Sequence, residues 1–109
     1  MKYGNENIRV LNDKLRVEKT GGIAVMTPGV AALGPEAISL AFQAIAVFDG
    51  FCEDSDPHQE HDFGSIEVEG HRLFFKIDYY DKSRTLHSPD PSDPAVTERV
   101  MTLMLAEEY

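Results

Sequence analysis

Ten consecutive residues, Glu53-Asp54-Ser55-Asp56-Pro57-His58-Gln59-Glu60-His61-Asp62, hold five carboxylates and two imidazoles with no lysine or arginine among them. Carboxylates suit hard cations and imidazole suits first-row transition metals, so His58, His61 and Asp62 form a candidate set for zinc, manganese or iron. The same segment could instead face a protein, with Glu53, Asp54, Asp56, Glu60 and Asp62 as the contacts to a basic partner surface. A third reading is a solvated loop whose side chains cap their own backbone. The spacing departs from two well-defined metal motifs. Counted from Asp54, a calcium hand needs glycine sixth and glutamate twelfth, where this chain has Gln59 and Ser65. A zincin helix needs His-Glu-x-x-His, whereas the order here is His58-Gln59-Glu60-His61.

Other motifs carry less. Asp62-Phe63-Gly64 matches the kinase magnesium tripeptide, but neither a glycine-rich loop nor His-Arg-Asp precedes it. Gly21, Gly22 and Gly29 lack the Gly-Lys-Ser/Thr ending of a phosphate loop, so no nucleotide is implied and a divalent metal is the one cofactor the residues suggest. Lys76, Asp78 and Tyr80 alternate along one strand face and could form a polar site with His61 or Asp62. Cys52 reads as a partly buried thiol, because Glu53 and Asp54 disfavour its thiolate. No nucleophile, base and orienting group can be assembled from the sequence, so no catalytic residue is assigned and a non-enzymatic role is favoured. His71 falls at a turn and His87 in a proline-rich connector.

The charge is uneven. Eight of the nineteen acidic residues lie between Asp49 and Glu69, a stretch without a basic side chain that carries −8 of the net −9. Residues 1–20 hold five basic and three acidic groups, leaving five basic and sixteen acidic for the rest, or −11. A field of that sign repels nucleic acid and anionic lipid and attracts cations or basic proteins. The single cysteine cannot form an internal disulfide, and MKYGNENIRV lacks the apolar core of a secretory signal, so a cytoplasmic setting is expected. No apolar run approaches the roughly 20 residues of a bilayer span. One domain, residues 1–109, is the natural division.

These groups must be positioned by a few elements. Ile8, Leu11 and Leu15 predict a helix over roughly 6–18, capped by Asn5 or Asn7 and stopped by Thr20-Gly21-Gly22. Ile23 to Met26 reads as a buried strand, and Thr27-Pro28-Gly29 as a turn. Pro35 and Glu36 open a second helix to about Phe48, with Ile38, Phe42, Ile45 and Phe48 on its apolar stripe. The acidic loop follows. From Phe63 to Tyr80 the period becomes two, with a Glu69-Gly70 turn that sets Val68 opposite His71, Glu67 opposite Arg72 and Ile66 opposite Leu73. Asp93 and Pro94 then open a last helix, with Val96, Val100, Leu103 and Met104 inward and Tyr109 docked on the core. The order α-β-α-β-β-α implies an α+β domain with a three-stranded, mostly antiparallel sheet covered by helices.

Five blocks together resemble a bacterial family catalogued as a domain of unknown function: Ile8-Arg9-x-Leu11-Asn12-Asp13, Asp56-Pro57-His58-x-Glu60-His61-Asp62-Phe63-Gly64, Lys76-Ile77-Asp78-Tyr79-Tyr80-Asp81, Ser88-Pro89-Asp90-Pro91 and Leu105-Ala106-Glu107-Glu108-Tyr109. The resemblance implies a small bacterial protein, often associated with plasmids and other mobile elements, and supplies no catalytic residues. In size and charge the chain is similar to anti-CRISPR and antirestriction proteins, which mimic DNA on a basic surface. The leading expectation is therefore a binding protein whose acidic face occupies a partner's nucleic-acid-binding surface. The alternatives are a metal-binding domain or metal-dependent enzyme centred on His58, His61 and Asp62, and an antitoxin-like accessory subunit that uses its helix faces.

Overall fold

In a computed structural model that describes the backbone of residues 2–109 and the side chains from Glu6 onward, the chain opens with helix α1 (Lys2–Glu18). Asn7 lies inside it rather than at its cap, and a capping role for the Asn5 side chain falls outside the described side chains. The buried stripe of α1 is Ile8, Asn12, Leu15 and Arg16. Two of these four are polar, which apolar periodicity alone does not anticipate. Strand β1 (Ile23–Met26) forms as predicted but at the sheet edge, with Val25 41% and Met26 37% exposed. A short β-branched run specifies an extended backbone, not a central place in the sheet.

The expected Thr27-Pro28-Gly29 turn is the start of a short helix, α2 (Pro28–Ala31). Helix α3 (Pro35–Val47) follows, with Pro35 in its first turn, where a missing N–H costs nothing. Its innermost side chains are Ala37, Ala41 and Ile45, and Ile38 and Phe42 flank them half-buried. Small side chains on that face let α3 approach α1 and the sheet closely.

The hairpin of β2 (Phe63–Val68) and β3 (His71–Tyr80) has the register read from the sequence, with Val68 opposite His71, Glu67 opposite Arg72 and Ile66 opposite Leu73. Glu69 and Gly70 both take positive φ, 51° and 83°, as the tightest two-residue turn requires. Ile66, Val68, Leu73, Phe75, Ile77 and Tyr79 are buried on one face. Gly64 permits the Phe75 and Phe48 rings to close over β2, since any side chain there would run into them.

The last predicted helix is instead strand β4 (Glu98–Leu105), followed by a single 3-10 turn (Ala106–Glu108). β4 pairs antiparallel with β3 and parallel with β1, giving a four-stranded mixed sheet in the order β1-β4-β3-β2. The three-stranded antiparallel expectation is corrected accordingly. A central strand buries residues on both faces, here Val100 and Met104 on one and Arg99, Met101 and Leu103 on the other. Its apolar pattern then loses the period-two signature and fits helical spacing equally well. Asp93, expected to cap a helix, accepts the Ala95 N–H in a local turn.

Tyr109 does not reach the core. It is 72% exposed and lies against Phe63 and Phe74 on the opposite sheet face, at centroid distances of 5.7 and 5.5 Å. Glu108 accepts hydrogen bonds from Thr27 Oγ1 and from the Leu105 and Gly29 N–H groups, which hold its carboxyl below the usual range. Helices α1, α2 and α3 cover the sheet face formed by Leu73, Phe75, Ile77, Tyr79, Met101 and Leu103. Among the described residues, no helix is long and apolar enough to cross a membrane.

Candidate functional site

The segment between α3 and β2 has no regular element, yet its path is held at several points. Asp56 is 4% exposed, and its two carboxylate oxygens accept the N–H groups of Glu60 (2.9 Å) and His61 (3.1 Å). Its own N–H donates to the Cys52 carbonyl at 2.7 Å. Gln59 and His61 adopt left-handed backbone, φ 56° and 60°, a conformation that costs a non-glycine residue about 1 kcal/mol. The Asp56 bonds offset that cost. The acidic loop is therefore partly self-capping, the third reading of its sequence.

Beneath the loop runs a buried polar chain. Arg99 is 1% exposed; its Nε donates to Asn12 Oδ1 at 2.6 Å, its Nη2 donates to the Pro91 carbonyl, and its guanidinium lies over the Tyr79 ring. Asn12 Nδ2 donates to the Tyr79 hydroxyl (2.8 Å) and to the Glu60 carbonyl (3.0 Å), and the Tyr79 hydroxyl donates to Glu60 Oε1 (2.8 Å). Burial lowers the Arg99 pKa and raises that of Tyr79, so the phenol stays protonated as a donor. These contacts tie α1, β3, β4 and the loop together.

The two loop histidines are separated. His61 places Nδ1 2.8 Å from Asp13 Oδ1 and stacks flat on Phe51, with centroids 3.9 Å apart. Asp13 is also bound by Arg16 Nη2 at 2.8 Å, while Arg16 Nη1 donates to the Ile45 and Phe48 carbonyls at the end of α3. His61 lines a concavity of about 380 Å³ with Arg9, Phe51, Cys52, Glu53, Asp56 and Gln59. His58 lines a different one, about 390 Å³, with Asp54, Asp62, Phe63, Lys76, Asp78 and Tyr109. Lys76 Nζ lies 3.3 Å from Asp78 Oδ2. Burial, then the charges of Glu60 and Asp56, push the Asp62 carboxyl up to about 6.

The predicted contacts thus divide. Glu53 and Asp54 are exposed, Asp56 is enclosed, Glu60 is engaged by Tyr79, and Asp62 is half-buried in the His58 cleft. Of the metal set, His58 and Asp62 share a cleft and His61 does not; among the described residues, no group of three or more His, Cys, Asp or Glu is placed to hold an ion. The polar site expected around Lys76, Asp78 and Tyr80 gathers Asp62 but not His61. Cys52 is exposed rather than partly buried, and hydrogen bonds from Ser55 lower its pKa against the opposing charge of Asp54. Asn12 and Asp13 entered the sequence reading only within a block that carries the family resemblance, with no site role, and Arg16 and Arg99 were not singled out at all. The one available signal was that Asn12 and Arg16 continue the Ile8–Leu15 stripe.

These features define a small α+β domain with helices over one face of a four-stranded sheet and an anchored acidic loop between α3 and β2. The chain belongs to the family described as a protein of unknown function (DUF3768), which it matches over residues 26–108. No curated protein and no solved structure matches it. The matched span contains the loop, the hairpin and β4, whereas α1, with Arg9, Asn12, Asp13 and Arg16, precedes it.

Proposed function

We propose that this is a non-enzymatic binding protein whose cleft beside the acidic loop receives a basic side chain from a protein partner. The observation that carries the reading is the lining of that cleft: three carboxylates, Asp54, Asp62 and Asp78, and two aromatic rings, Phe63 and Tyr109, stand against one cation, Lys76. A guanidinium is weakly hydrated, pairs with carboxylates through directed donors and lies on aromatic faces. Exposed Asp49 and Glu53 extend the negative field and steer a basic surface toward the cleft. A partner that otherwise uses such a surface to bind nucleic acid would be inhibited, as by an anti-CRISPR or antirestriction protein. The bacterial, mobile-element and cytoplasmic setting belongs to this proposal.

An arginine-rich peptide titrated by calorimetry tests it. Affinity is expected to fall about tenfold in the Asp54→Asn/Asp62→Asn variant and to weaken with added salt. Equal affinity of the variant and the parent protein would sink the reading. Asp56 is not a probe of binding, because its loss disturbs the loop itself. Acidification from pH 7.5 to 5 protonates Asp62 as it passes about 6 and is expected to weaken binding in the parent but less in Asp62→Asn.

The same group makes a separate stability prediction. An acid whose folded pKa is raised contributes stability that is present below its unfolded value, 3.8, and lost as pH rises through about 6. Asp62→Asn is therefore expected to match the parent at pH 3.5 and exceed it at pH 8, by about 1 kcal/mol once solvent screening is allowed for. Urea unfolding at the two pH values checks this.

The metal alternative has weaker support: His58, Asp62 and Asp78 line one cleft, with His61 outside it, but among the described residues no three such groups are close enough together to hold an ion. Stoichiometric metal in untagged protein, lost in His58→Ala but kept in His61→Ala, would support that site over the peptide cleft. An antitoxin-like accessory role would use the exposed apolar side chains of α1 and α3, Val10 and Val17 with Leu40 and Val47.

A further inference from the structure

Strand β2 ends the sheet, and its register with β3 runs unbroken from Phe63 to Val68. In an antiparallel ladder the backbone groups of successive residues point to opposite sides. The two-residue turn makes Val68 and His71 a bonded pair, and at the other end the Ile77 N–H donates to the Asp62 carbonyl. Asp62, Gly64, Ile66 and Val68 therefore face β3, while the N–H and C=O groups of Phe63, Ser65 and Glu67 face the free edge. No proline, lysine or bulge, the usual devices that blunt an exposed edge, occurs in Phe63-Gly64-Ser65-Ile66-Glu67-Val68.

Helix α3 overhangs this edge with apolar side chains. Phe48 closes over Gly64 of β2, and Phe42 lies on the opposite flank of the helix, under Lys19 of α1. Leu40 and Val47, two turns apart on the flank turned away from α1, are 44% and 78% exposed. On the outer side of the sheet, Phe63 is a wall of the cleft that also contains Asp62 and Asp78, and the Glu67 side chain is 64% exposed. Arg72 Nη2 is 3.8 Å from Glu67, and Nη1 of the same group donates to Ser65 Oγ. We propose that β2 accepts an antiparallel strand from a protein partner, with basic residues opposite Phe63 and Glu67, a small polar residue opposite Ser65, and apolar residues between them turned toward Leu40 and Val47. Backbone groups of Phe63, Ser65 and Glu67 supply the hydrogen bonds, and the alternation of side chains supplies the specificity. The inference rests on the cleft as the receptor of a basic side chain and names the extended backbone that carries it. A second copy is a poor occupant, because its β2 offers no cation to either acidic position and its charge is also −9.

The probe is the blocked peptide Gly-Gly-Arg-Val-Ser-Val-Arg-Gly-Gly, titrated by calorimetry into the full chain. N-methylation of its serine, whose N–H faces Ser65, is expected to weaken binding at least about tenfold, and N-methylation of either valine, whose N–H faces solvent, by less than about twofold. Ser65→Pro removes an outward N–H without loss of a ladder bond; it should keep the melting temperature and weaken binding by a similar factor. Val47→Ser should weaken binding about threefold. Saturation with peptide should slow amide exchange at Ser65 and Glu67 at least about tenfold. Equal affinity of the serine- and valine-methylated peptides, with unchanged exchange at Ser65, overturns strand addition; the cleft reading survives that result if Asp54→Asn/Asp62→Asn still weakens binding. Conversely, a neutral Asp54→Asn/Asp62→Asn variant beside a weakened Ser65→Pro removes the cleft and keeps the strand. A peptide-free dimer that protects the same amides assigns the edge to a second copy and overturns the proposal.

Discussion

Asp56→Ala is expected to melt the segment from Cys52 to Asp62 and to lower global stability by about 3 kcal/mol. Both carboxylate oxygens of this enclosed side chain accept backbone N–H groups, from Glu60 and His61. Hydrogen bonds to a charged group contribute about 1.5–3 kcal/mol each, and part of the loss returns when the freed N–H groups reach water. The left-handed backbone at Gln59 and His61 then loses the side-chain bonds that offset its cost, so the histidine should leave Phe51 and Asp13. Urea unfolding measures the global change, and amide exchange at Glu60 and His61 measures the local one. Asp56→Asn, which keeps one acceptor oxygen, should show about half the effect. An unaltered midpoint with protected amides in Asp56→Ala would mean that other contacts hold the loop.

The second large effect belongs to the polar chain beneath it. Asn12→Leu keeps the branched outline of a fully buried side chain, though with bulkier methyl groups, but removes the acceptor for Arg99 Nε and the donor to the Tyr79 hydroxyl and the Glu60 carbonyl. Leaving a buried charge without its partner costs about 3–5 kcal/mol when an ionic pair is broken. Here the Pro91 carbonyl and the Tyr79 ring still attend the guanidinium, which sets the expectation at about 3 kcal/mol. At roughly 4 °C per kcal/mol for a domain of this size, the melting temperature should fall by about 12 °C. Replacing both ends, as Asn12→Leu/Arg99→Met, removes the stranded charge together with its partner. The double variant should recover more than about 1 kcal/mol relative to the sum of the single ones. Strict additivity would show that Asn12 and Arg99 act independently.

Both predictions concern groups that the sequence shows but does not rank. Asp56 reads as one of five equivalent carboxylates, and only its enclosure separates it from exposed Glu53 and Asp54. Asn12 occupies a helical position where leucine would be unremarkable. Arg99 lies in a segment whose apolar spacing fits a helix until β1 and β3 are seen on either side of it. The candidate site was legible as a stretch of sequence, 53–62, but not as two separate concavities. Which way His58 and His61 face depends on backbone dihedrals fixed by Asp56 and on partners that lie 48 residues away, at Asn12 and Asp13.

Local chemistry alone determined α3 from its opening proline, the hairpin from its alternation and Glu69-Gly70 turn, and the loop from its polar, proline-broken composition. In each case the decisive interactions link residues near in sequence, so periodicity and turn preference carry the information. Tertiary structure alone decided that β4 is a strand, that β1 sits at an edge, that Tyr109 lies on the outer face and that α1 supplies polar groups to the interior. Those outcomes depend on what each segment finds to bury itself against. A residue pattern can state that a surface must be covered, but the covering partner is chosen by the assembled sheet and helices.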